Sequence, residues 1–82
     1  MAKLMSAASA QGHEAVHALI EAGGPVLVEV RHPGGVYSPD WHLCESDADF
    51  DRLLEGLDPQ SVLVVSRVWD LTNRAGAVVL RR

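Results

Sequence analysis

Phe50, Leu53, Leu54 and Leu57 fall at i, i+3, i+4 and i+7, so they line one side of a helix. Ser46 stands before that stretch as an N-cap, and Asp49, three residues on, takes the place of the usual Glu in a capping box. Asp47, Asp49 and Asp51 crowd the first turn, where the helix dipole favours negative charge. Gly56, Asp58 and Pro59 end the helix. An earlier helix is predicted over residues 9–22. There Val16, Leu19 and Ile20 recur at helical spacing, Ser6 or Ser9 caps the start, and Gly23-Gly24-Pro25 stops the turn from continuing.

After each helix the apolar period shifts from helical to two. Val26, Val28 and Val30 alternate with Leu27, Glu29 and Arg31, which predicts a strand over 26–32 with one buried face. Pro33-Gly34-Gly35 is a turn. Val36 and Tyr37 resume an extended segment, Pro39 interrupts it and residues 41–44 continue it, so this strand is expected at an edge or with a bulge. Residues 61–69 read as a central strand, 70–74 as a turn and 75–81 as a returning strand. The order αββαββ implies an α+β two-layer sandwich: a four-stranded antiparallel sheet with two helices on one face. Its expected core is Val16, Leu19, Ile20, Val28, Val30, Phe50, Leu53, Leu54, Leu57 and Val64. The opposite face would carry Leu27, Glu29 and Arg31 with members of Leu63, Val65, Arg67 and Trp69.

An internal α-β pseudo-repeat runs through this pattern. Leu19-Ile20-Glu21 and Leu53-Leu54-Glu55 are each followed by a proline (Pro25, Pro59) and then by a Val-Leu-Val run. At 82 residues and 48% hydrophobic content the chain reads as one small domain, residues 1–82, with 1–8 expected to fray. A single cysteine, Cys44, excludes an internal disulfide and reads as a small buried apolar residue in a reducing, cytoplasmic setting. No targeting segment and no membrane-length apolar run is visible, so the chain is expected to be soluble, with no membrane partner.

The formal net charge of −4 conceals a segregation. Asp40, Glu45, Asp47, Asp49, Asp51, Glu55 and Asp58 are set against one base, Arg52, within residues 40–58. Beyond Ser66, four arginines (Arg67, Arg74, Arg81, Arg82) face one acid, Asp70, and the terminal arginines are expected to keep a sheet edge soluble. The overall acidity, with a pI near 5.4, opposes direct nucleic-acid binding.

One string carries the spacing of metal chemistry. His13-Glu14-Ala15-Val16-His17 reads H-E-x-x-H, which on a helix puts both imidazoles on one side with a Glu beside them. It resembles the active-site helix of zinc-dependent metallopeptidases over these five residues. The resemblance implies His13 and His17 as ligands and Glu14 as the base. The extended pattern is missing: Ile20 stands where a glycine belongs and Gly23 where a third histidine belongs. The plainer reading is two boundary histidines, with His17 and Glu21 as an i, i+4 pair, and neither metal nor cofactor is expected.

The function this pattern favours is a small non-catalytic protein-binding module, an inhibitor or regulator. Its acidic surface would block a partner whose basic surface holds nucleic acid. The expected contacts are Asp40, Trp41, Glu45, Asp47, Asp49, Asp51, Glu55 and Trp69, since Trp is a frequent interface anchor and spaced acids imitate a phosphate backbone. Phage and mobile-element inhibitors such as anti-CRISPR proteins are a functional analogy for this mode, without a residue match. The alternatives are a zinc-binding protein and a homodimeric accessory subunit joined through the open sheet face.

Overall fold

The structure is a computed structural model that describes residues 4–6, 9–35, 38–68 and 77–82. The elements run β1 (Leu4–Ser6), α1 (Ala10–Gly23), β2 (Val26–Arg31), a single 3₁₀ turn at Pro33–Gly35, β3 (Asp40–Cys44), α2 (Asp47–Glu55), β4 (Val62–Arg67) and β5 (Val78–Arg81). The fold is a small α+β domain with two helices and a five-stranded mixed sheet in the order β1-β5-β4-β2-β3. β1 pairs with β5 in parallel, and the other neighbours are antiparallel.

The fifth strand corrects the four-stranded antiparallel expectation. Leu4–Ser6, expected to fray, lies against β5, where Met5 sits opposite Leu80 and packs on the core. Three residues are too few to show an alternation. Because β5 has this neighbour, it is not the edge its arginines were expected to protect. Arg82 instead turns back: its backbone N–H donates to Ser61 O at 3.1 Å, and its Nε–H donates to Leu54 O in the last turn of α2. A cation there meets the carbonyl end of the helix.

The caps follow the sequence signals. Ser9 Oγ accepts the Gly12 N–H at 3.1 Å, and Ser46 Oγ accepts the Asp49 N–H at 3.3 Å. Asp49 Oδ2 reaches back to the Glu45 N–H at 3.0 Å, one residue before the cap. Asp51 falls in the second turn of α2, not the first. Gly24 closes α1 at φ 79°, where a Cβ is disfavoured, and its N–H donates to Ile20 O at 2.9 Å.

Both helices cover one face. In the register, Val28 lies opposite Val65 and Val30 opposite Leu63, with Leu80 beyond Leu63. These residues, with Val26, Cys44, Val16, Phe50 and Leu54, form the buried core, and Leu19, Ile20, Leu53 and Leu57 pack against it half-buried. Each fully buried branched side chain contributes about 1.5–3 kcal/mol.

β4 faces the other way from expectation. Leu63 and Val65 point into the core, while Val64 stands on the opposite face beside Glu29 and is still only 7% exposed. Residues 62–65 are four apolar residues in a row, so alternation could not choose between their faces. Glu29 is buried on that face as well. Its carboxylate lies 3.3 Å from Arg31 Nε. Tyr37, Trp69 and the turn expected at 70–74 lie outside the described residues.

Replacing Leu54, which α2 inserts into this core, is expected to cost ~2–5 kcal/mol as Leu54→Ala in denaturant melts. A loss below ~0.5 kcal/mol would place that side of α2 away from the core.

Candidate functional site

His13 and His17 are one helical turn apart on α1, and Asp47 and Asp51 are one turn apart on α2. The two helices meet so that the pairs cross-match. His13 Nε2 lies 3.0 Å from Asp51 Oδ1, and His17 Nδ1 lies 2.5 Å from Asp47 Oδ2. His13 also stands edge-on to the buried Phe50 ring, with centroids 6.0 Å apart. Together with Glu14, these four side chains line a shallow groove of about 320 Å³ between the helices.

His17 has a second acidic neighbour. Its Nε2 lies 3.2 Å from Glu21 Oε1, so both ring nitrogens face carboxylates. A neutral imidazole has one N–H and would turn a lone pair towards an anionic oxygen; the imidazolium donates to both. The Asp47 hydrogen bond, and then the charges of Asp47 and Glu21, accordingly hold His17 above the ordinary histidine value. The groups around it are His13, Glu14 and Glu21 of α1 and Asp47 and Asp51 of α2. The site is solvent-exposed, so this link orients the helices more than it stabilises them.

The H-E-x-x-H string therefore meets carboxylates from the second helix. Among the described residues, no three His, Cys, Asp or Glu groups converge in a way that would hold a metal ion. His32 pairs with Asp40, with Nε2 2.8 Å from Oδ2, and His42 is exposed on β3. Cys44 is buried at the end of β3. Burial pushes its thiol up from the ordinary value and Asp49 adds to that, which keeps it protonated and a poor nucleophile at neutral pH.

The acids expected to meet a partner fall into two groups. Asp40, Asp47 and Asp51 each face a histidine, and Asp49 takes the Glu45 N–H and the Arg52 guanidinium. The Glu45 N–H first, and then Arg52, hold the Asp49 carboxyl below its ordinary value. Glu45, Glu55 and Asp58 are exposed and form no ion pair among the described residues. Residues 40–58 thus hold seven acids against one arginine, and three of those acids, Glu45, Glu55 and Asp58, are exposed.

Trp41 lies on β3, the outermost strand, and points away from the helices at 51% exposure. Leu43 stands beside it on the same face at 54%, and sequence reasoning did not single it out. The signal for it was present: the period of two that exposes Trp41 exposes Leu43 with it. The expected contact Trp69 lies outside the described residues. The cross-helix His–Asp pairing was also missed, because its partners are 30 and 38 residues apart.

The sequence matches no family model, and comparison with curated proteins and with solved structures gave no match.

The His17 link has a defined sign. A folded-state value raised above the unfolded one means that the contribution is complete below pH ~6.5 and fades as pH rises through the raised value. In an NMR titration, the His17 ring is expected to have a higher midpoint in the wild type than in Asp47→Asn. An unchanged midpoint would mean that the pair does not form in solution.

Protein purified without a His-tag is expected to carry no stoichiometric zinc, since Asp51 and Asp47 already engage the nitrogens that would bind it. About one zinc per chain by elemental analysis, lost in His17→Ala, would favour the metallopeptidase-like reading.

Proposed function

We propose that this chain is a small non-catalytic protein-binding module, an inhibitor or regulator that docks on a basic surface of a protein partner and competes there with nucleic acid. What supports the reading is one arrangement. The acid-rich segment 40–58 begins on an edge strand that exposes Trp41 and Leu43 and continues into a helix that ends at the exposed Glu55, with the exposed Asp58 just beyond it. Large apolar side chains supply contact area at an interface, and surrounding charge sets orientation and encounter rate.

The proposal is tested on the partner recovered by affinity capture from the native host and identified by mass spectrometry. Glu45→Lys with Glu55→Lys should leave the fold intact, because both side chains are exposed and such changes are usually within ~0.5 kcal/mol. The double reversal should slow association severalfold at low ionic strength, and less so near 0.15 M salt, where screening acts over ~8 Å. An unchanged rate at low salt would make the acidic side a solvated face only.

A further inference from the structure

We propose that His17 is a proton-operated bridge between the two helices: protonated, it withholds seam carboxylates from a basic partner, and deprotonated, it releases one of them. The inference rests on the reading of the chain as a binder of basic surfaces, and it adds how that binding is regulated.

The bridge has two ends. His17 Nδ1 lies 2.5 Å from Asp47 Oδ2, in the first turn of α2, and its Nε2 lies 3.2 Å from Glu21 Oε1, one turn further along α1. The side chain is half exposed, so solvent protons and a partner both reach it. An imidazolium has two N–H groups and serves both carboxylates at once, whereas a neutral ring has one N–H and serves one. Loss of the proton leaves one carboxylate without its donor and facing a ring lone pair. Two carboxylates balanced by one cation become two carboxylates alone.

A second pair repeats the crossing one turn along each helix, where His13 Nε2 lies 3.0 Å from Asp51 Oδ1. The groove that holds both pairs is lined from α1 and α2 alone among the described residues. The groups facing His17 are thus His13, Glu14 and Glu21 of α1 and Asp47 and Asp51 of α2. The Asp47 hydrogen bond first, and then the charges of Asp47 and Glu21, raise the pKa of His17, so the bridge changes state on the alkaline side of the ordinary value. Below that raised pKa the bridge is charged and the seam attracts a cation weakly; above it the attraction is stronger. Proton and basic partner compete for the same carboxylates, so the partner must in turn lower the midpoint of His17.

The probe is N-acetylated nonalysine, whose side chains stay charged at both pH ~5.5 and pH ~9. Its affinity for the wild type and for His17→Gln is read by fluorescence anisotropy at low ionic strength. Gln suits a half-exposed helical position, and circular dichroism should be unchanged. At the higher pH the two proteins should bind alike. At the lower pH the wild type should bind about threefold more weakly than the variant, the effect of one unit charge roughly 6 Å away in water. In an NMR titration of the wild type, saturating peptide should lower the His17 midpoint by about half a pH unit, the same ratio read from the other side. Glu21→Gln, an exposed change, should lower that midpoint without peptide, because one end of the bridge is gone. If wild type and His17→Gln bind alike at both pH values, or the peptide leaves the His17 midpoint unmoved, the regulation is wrong while the acidic-surface reading stands. An unchanged midpoint in Glu21→Gln would leave the bridge with one end and overturn the inference as well. If nonalysine binds neither protein at either pH, the reading and the inference fail together.

Discussion

The pairing of β2 with β4 is the constraint on which the rest depends. A two-layer domain has one helix-covered face, and a one-residue slip between strands moves every side chain to the other side. Here the register sets Val28 against Val65 and Val30 against Leu63, so the three alternate valines of β2 and the two core residues of β4 form one apolar floor. Val16 from α1 and Phe50 and Leu54 from α2 close over it. In a chain of 82 residues little else is available to hold the fold: no disulfide is possible, and the cross-helix ion pairs are exposed.

From that register the surface follows. With the helices committed to one face, β3 becomes an outer strand and its odd-numbered residues, Trp41 and Leu43, are turned outward. α2, docked beside β3, carries Asp47 and Asp51 to the seam with α1, where two histidines meet them. Among the acids the seam does not take up, Glu45 lies just before the N-cap of the same helix and Glu55 at its end. Charge segregation along the sequence becomes charge segregation in space because strand, loop and helix are consecutive and adjacent.

The parts legible in the sequence were those with a clean period. Phe50, Leu53, Leu54 and Leu57 defined α2, and Val26, Val28 and Val30 gave β2 with its buried side correctly assigned. Two kinds of feature were not legible. The unbroken apolar run 62–65 carries no alternation, so the facing of β4 came out reversed, with Val64 assigned to the helix-covered core and Leu63 to the other face. β1 is three residues long, and its strand character comes from pairing with β5 at the far end of the chain. The candidate surface divides in the same way. Acid content and Trp41 could be read directly, whereas the matching of His13 to Asp51 and His17 to Asp47 exists only once the helices are side by side.

The account stands on β3 being the last strand of the sheet, with β2 as its neighbour among the described residues. Residue-resolved amide hydrogen exchange measures this directly. Along Asp40–Cys44, the amides turned towards β2 should be protected. Those turned outward should exchange orders of magnitude faster, while β2 and β4 are protected throughout. Uniform protection along all five residues of β3 would mean that another strand already covers this edge, and would contradict the account.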